Sequence, residues 1–172
     1  QDNGTWRTLS GSDNDWEPIY GGDGFVVKVD PINNNYVYAE YQYGNLARSS
    51  NGGNSFTSIS QGLNGRKNWN TPYVLDPGNP QILYYGTERV YKSLNRGDSW
   101  TPISPDLSNG PGLNIVYGTI STIAVSELNS QVIWAGADDG NVWRTLDGGA
   151  NWQQVSVTLP QRWATRVVTS PH

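Results

Sequence analysis

Three octapeptides constrain this chain more than any other feature. They are Ser49-Ser50-Asn51-Gly52-Gly53-Asn54-Ser55-Phe56, Ser93-Leu94-Asn95-Arg96-Gly97-Asp98-Ser99-Trp100 and Thr145-Leu146-Asp147-Gly148-Gly149-Ala150-Asn151-Trp152. In each, a hydroxyl residue, an Asn or Asp, a Gly, a small polar residue and an aromatic fall at offsets 0, 2, 4, 6 and 7. Asn51, Asn95 and Asp147 suit the acceptor role in a turn closed by its own amides, and Gly53, Gly97 and Gly149 suit a positive φ. Phe56, Trp100 and Trp152 then offer large apolar surfaces for packing between sheets. Trp16-Glu17-Pro18-Ile19 reads as a fourth, degraded copy whose turn runs from Ser10 to Asp15. The aromatics at 16, 56, 100 and 152 lie 40, 44 and 52 residues apart, the length of one propeller blade.

The rest of the period recurs around each octapeptide. Apolar strands ending in turns stand at Val27–Asn33, Tyr73–Asn79 and, more weakly, Ile123–Asn129. Second strands follow at Tyr36–Ala39, Ile82–Tyr85 and Val132–Ala135, and third strands at Asn45–Arg48, Arg89–Lys92 and Asn141–Arg144. The octapeptide joins the third strand to a short fourth. Four antiparallel strands per period give an all-β chain, a β-propeller of four-stranded blades. The boundaries read as a half blade over 1–20, blades over 21–60, 61–104 and 105–157, and the first strand of a further blade over 158–172. Three complete blades with two partial ones are expected of a fragment of a larger propeller, whose remaining blades or self-association complete the ring; a small four-bladed ring is the alternative. Composition agrees, with 20 Gly, 8 Trp and 10 Tyr against only 15% charged residues.

The octapeptide resembles the Asp box, or BNR repeat, of the pattern S-x-D-x-G-x-T-W. That family includes sialidases, sortilin-like receptor propellers, xyloglucan-active propeller glycosidases and many secreted bacterial proteins. The resemblance implies a structural role for Ser49, Asn51, Gly53, Phe56, Ser93, Asn95, Gly97, Trp100, Thr145, Asp147, Gly149 and Trp152. It also implies an extracellular or cell-surface location and a binding or scaffold function, although this chain shows no signal peptide.

The octapeptides share one face with the turns between first and second strands. Ligand chemistry therefore falls to the opposite face, where inter-blade loops gather at the channel mouth. Its candidates for ligand binding are Tyr41, Tyr43, Arg66, Trp69, Asn70, Tyr117, Arg162 and Trp163. Flat aromatic faces beside amides and guanidinium suit a glycan, and they suit a peptide equally well. The long loop from Ser104 to Gly118 is a further functional candidate on length alone.

A catalytic alternative rests on carboxylates. The acids of the loop face are Asp23, Glu40, Glu88, Asp106, Asp138 and Asp139, and a glycosidase needs two of them about 5–10 Å apart. Gly21-Gly22-Asp23-Gly24-Phe25 is loosely similar to a Gly-Asp-x-x-Gly-Phe stretch of the xyloglucan-type enzymes. The resemblance makes Asp23 the candidate catalytic acid of a hydrolase acting on a β-glucan-type polysaccharide. Sialidase activity is disfavoured, because no Phe/Tyr-Arg-Ile-Pro segment is present and Arg48 and Arg144 occupy a repeat position.

Other classes are excluded or unsupported. A net charge of −4 and a sequence pI near 4.8 argue against nucleic-acid binding. No apolar run approaches the length of a membrane span. With no Cys and a lone His172, thiolate chemistry is absent and histidine chemistry has little to work with. Neither EF-hand spacing nor a phosphate-binding Gly motif appears, so no metal and no cofactor are expected.

Overall fold

The computed structural model describes residues 2–113 and 116–170. It contains fourteen β-strands among these residues. A leading hairpin pairs β1 (Thr5–Arg7) with β2 (Glu17–Tyr20). Three four-stranded antiparallel meanders follow. The first blade holds β3 (Val27–Val29), β4 (Val37–Tyr41), β5 (Asn45–Ser49) and β6 (Thr57–Ser58). The second holds β7 (Tyr73–Leu75), β8 (Leu83–Gly86), β9 (Val90–Ser93) and β10 (Thr101–Pro102). The third holds β11 (Ile120–Val125), β12 (Ile133–Ala137), β13 (Val142–Thr145) and β14 (Gln153–Gln154). Among the described residues, no helix is long and apolar enough to cross a membrane.

The core lies between blades rather than within them. Tyr38, Leu46 and Ile59 of the first blade pack against Leu63, Tyr73, Leu83, Tyr85 and Tyr91. A second cluster joins Tyr84, Val90 and Leu107 to Ile120, Ile123, Val125, Ile133 and Ala135. Second strands are buried on both faces for this reason, and they read as nearly unbroken apolar runs. Two of their buried tyrosines find acceptors, Tyr84 donating to Asp76 Oδ2 at 3.2 Å and Tyr85 to Gly44 O at 2.8 Å, whereas the Tyr38 hydroxyl has no hydrogen-bond partner among the described residues. On the first strand β7, Tyr73 donates to Val26 O at 2.9 Å.

Each octapeptide closes on itself and on the preceding blade. The Ser49, Ser93 and Thr145 hydroxyls accept from the amides of Gly53, Gly97 and Gly149 at 2.8, 2.8 and 3.0 Å. Asn51, Asn95 and Asp147 accept from the amides of Ser55, Ser99 and Asn151 at 2.9–3.0 Å. The Asn151 side-chain amide, which donates to Asp147 Oδ2 at 2.7 Å, together with the Asn151 backbone N–H and the Thr145 hydroxyl, holds the Asp147 carboxyl at about 2, below the usual carboxylate range. Across the seam, Trp100 and Trp152 donate their indole N–H to Ile59 O and Ile103 O at 2.7 and 2.8 Å. The same isoleucines cover the octapeptide glycines. A Cβ on Gly97 would lie 2.5 Å from Ile59, and one on Gly149 would lie 2.8 Å from Ile103.

Two expectations need correction. The degraded copy starts earlier than Ser10: Thr8 takes the hydroxyl position, accepting from Gly11 N–H at 2.8 Å. Its carboxylate comes from Asp15, late in an expanded turn, which accepts from the Thr8 and Ser10 hydroxyls. Secondly, residues 167–170, expected within a first strand, enter no ladder among the described residues. The segment runs along β11, where Val167 N–H donates to Thr122 Oγ1 at 3.1 Å; Pro171 and His172 lie outside the described residues.

The seam makes a quantitative prediction. Gly97→Ala combines a φ of +93° with a collision against Ile59, and should cost more than about 2 kcal/mol. Adding Ile59→Val, which removes the colliding methyl, should restore part of the loss. Strict additivity of the two changes in denaturant unfolding would contradict a shared socket.

Candidate functional site

The loop face is built from the three-residue turn 42–44 and the inter-blade loops. In that turn Tyr43 and Gly44 both sit in the left-handed region, at φ values of 61° and 65°. Gly44 has no alternative, because a Cβ there would run into the Tyr85 hydroxyl and Thr71. Tyr43 does have a Cβ, and holding it at positive φ costs about 1–2 kcal/mol. Trp69 supplies the compensation. Tyr43 N–H donates to Trp69 O at 2.9 Å, and the two rings meet edge to face with centroids 4.8 Å apart. Phe25 also meets Trp69 edge to face, with centroids 6.1 Å apart. Tyr43 remains 52% exposed on top of this stack.

Asp23 belongs to the same corner. Its backbone N–H donates to Gln42 Oε1 at 3.0 Å, and its half-buried carboxylate has no hydrogen-bond or ion-pair partner among the described residues. The other acids are sealed or engaged. Glu88 is buried and accepts from Arg66 N–H at 2.7 Å and from Arg89 Nε at 3.1 Å. Asp138, also buried, accepts from Tyr117 N–H, Thr119 N–H, the Thr119 hydroxyl and the Asn68 amide. Asp139 accepts from Asn109 N–H and from Asn141. Burial pushes the Asp106 carboxyl up, but the Arg66 guanidinium and Ser108 outweigh it and leave the group below its ordinary range.

These contacts divide the sequence candidates. Tyr43 and Trp69 come together, whereas Tyr41 turns away and faces Tyr20 at 5.8 Å. Arg66 is occupied by structure: it donates to Gly118 O, to Asp106 and to Ser108, anchoring both ends of the 104–118 loop. Asn70 is exposed in the turn beside Trp69. Tyr117 and the backbone of Arg162 belong to a different corner, against Asp138 and Gly140, with Trp163 next to them in sequence. Phe25 and Gln42 complete the Tyr43 corner without a signal in the sequence, since neither sits at a repeated position. No group of three or more metal-ligating side chains occurs among the described residues.

Comparison with known proteins places the fold. No protein-family model matches the chain, and no curated protein matches it. Among solved structures it is similar to a GH74 enzyme of Niastella koreensis, with a TM-score of 0.63 and 21% identity over 88% of this chain and 26% of that one. The GH74 xyloglucanase of Xanthomonas campestris aligns with a TM-score of 0.55 and 22% identity, over 87% of this chain and 22% of the other. YCF48 bound to D1 peptide aligns with a TM-score of 0.53 and 16% identity, over 77% and 39%. The chain thus spans between 22% and 39% of the length of these structures. At such identities the likeness shows the fold, an all-β propeller.

Asp138 is the pin of the long loop. Asp138→Ala strands several buried donors and should cost about 3 kcal/mol. Limited proteolysis should then cut within 104–118 first; a loop as resistant as the wild type would remove Asp138 from that role.

Proposed function

We propose that this chain is a non-catalytic, ligand-binding stretch of an Asp-box (BNR-type) propeller from an extracellular or cell-surface protein. Its ligand is a glycan or an extended peptide held at the loop face. The observation that carries the reading is Tyr43, strained at positive φ and half exposed upon Trp69. Backbone strain persists where surrounding contacts over-determine it, and such positions concentrate at ligand clamps. An aromatic stack beside a free carboxylate and an exposed amide (Asp23 and Asn70) suits either a sugar ring or a peptide. The YCF48 structure, with its bound peptide, supports the peptide arm by fold analogy, and the GH74 structures support the glycan arm in the same way.

The hydrolase alternative has one specific observation in its favour, the unpartnered Asp23 carboxylate. Against it, the remaining acids of that face are engaged as structural acceptors or sealed, so none stands ready as the second carboxyl. Glycan and peptide arrays probed with the wild-type chain separate the arms. Hydrolysis of a bound polysaccharide that disappears in Asp23→Asn would favour the enzyme.

Tyr43→Gly discriminates binding from folding. Glycine relieves the left-handed strain, so thermal stability should hold or rise by roughly 1 kcal/mol. Affinity for the array ligand should fall by about 2 kcal/mol, roughly thirtyfold. Unchanged affinity in this variant and in Trp69→Ala would move the binding site elsewhere.

A further inference from the structure

Glu40 is the residue that the fold leaves unexplained. It pairs with Leu46 in the β4–β5 ladder, as Gly86 pairs with Val90 and Gly136 with Val142, so the three occupy one repeat position. In the second and third blades that position is closed to any side chain. A Cβ on Gly86 would lie 2.9 Å from Ile120, and one on Gly136 would lie 2.7 Å from Ala164. The first blade instead points a carboxyl into its seam with the second. Glu40 is 0% exposed, and neither of its oxygens has a hydrogen-bond partner.

Its surroundings do not compensate a charge. The titratable groups beside it are the Tyr73 hydroxyl from β7 and the Tyr85 hydroxyl from β8. Both donate their protons elsewhere, Tyr73 to Val26 O and Tyr38 O, Tyr85 to Gly44 O. From β5 the neighbour in register is Leu46, which carries no charge. On β4 itself, Tyr38 shares the side of Glu40, and the cations Arg48 and Arg96 act on Tyr38 rather than on the carboxyl. An ionised carboxylate without a partner is strongly disfavoured in such a place, so the group stays neutral while the seam is closed.

The same backbone carries the Tyr43 corner. Glu40 O accepts from Phe25 N–H at 3.4 Å, Gly44 O accepts from Tyr85, and Gly86 N–H donates to Pro72 O at 2.9 Å, three residues beyond Trp69. We propose that Glu40 is a proton-operated latch for the seam beneath the Tyr43–Trp69 stack: with its proton the two sheets close, and loss of that proton to solvent separates them and releases the stack. The latch itself stands on the seam; only its consequence for ligand binding rests on the reading of Tyr43 as part of a binding site.

Burial pushes the Glu40 carboxyl from its ordinary 4.5 up to about 9. Opening the seam to water restores the ordinary value, so between these limits each opening event releases one proton. The opening equilibrium therefore rises about tenfold per pH unit from pH 4.5 to pH 9 and is flat above.

Hydrogen exchange on the ligand-free chain between pH 5 and about pH 8.5 tests this, with each rate divided by the intrinsic chemical rate at that pH. The reporter is the Tyr43 amide of the first blade, which bonds Trp69 O in the loop leading to the second. In the wild type its protection should fall about tenfold per pH unit. In Glu40→Gln, which keeps the shape without the charge, it should stay level. Should that variant not fold, Glu40→Gly, the residue type of the other two blades, is read in the same way. Level protection in the wild type overturns the latch, as does an undiminished slope in the variant. An equal loss along the β12–β13 ladder also overturns it, because the whole molecule would then be loosening. A working latch on a chain that binds nothing on the arrays would leave the latch standing and sink the binding reading alone.

Discussion

Every seam of this molecule depends on one contact, the isoleucine of one blade seated on the octapeptide glycine of the next. Antiparallel meanders satisfy their own backbone hydrogen bonds, so adjacent blades have no ladder to join them and must be fixed by side chains. Ile59 on Gly97 and Ile103 on Gly149 supply both burial and register, and an indole N–H to the isoleucine carbonyl makes each contact directional. A buried isoleucine and one such bond together contribute about 3 kcal/mol per seam. The first seam is different. A Cβ on Gly53 would lie 3.2 Å from Ile19, a looser fit, and Phe56 has no N–H to donate. It stacks on Tyr20 instead, with centroids 4.8 Å apart.

This arrangement separates the two faces chemically. On the octapeptide side, hydroxyl, carboxyl and amide groups bond within their own turns, and Arg96 reaches back to Asp30 of the preceding blade. Little polarity is left over there. On the other side the loops differ in length, and their order comes from long-range pins such as Arg66 and Asp138. A face held by pins is free to vary between them. The unpaired Asp23 and the strained Tyr43 both occur there.

The legible part of the structure is the part governed by local rules. Turn chemistry and strand alternation placed the octapeptides, the four strands of each blade and the order of the meanders, because those depend on residues a few positions apart. Long-range pairing was not legible. Arg66 reads as a free guanidinium in sequence, yet its acceptors lie 40 to 52 residues away. Phe25 carries no repeat signal and is placed by the ring it meets. The expanded turn at Thr8 escaped the pattern because it has one residue more between hydroxyl and aromatic than the other three. Glu40 reads as an acid of the loop face, but strand parity puts it with Tyr38, on the side that faces the next blade.

That parity bears on what the first full seam is for. Besides Arg96, held at a φ of 60° in its octapeptide, it carries two costly features three residues apart on one strand and its turn, Tyr43 at positive φ and a buried carboxyl without a partner. The repeat offers a cheaper solution for the carboxyl, since glycine fills that position in the other two blades. Two local violations at one place, in a chain whose other seams obey the repeat closely, mark the place where folding and function diverge. Stability from the regular seams is what lets the first one keep them. A strained ring on the surface and a proton beneath it then belong to one device, with the two sheets as its moving parts.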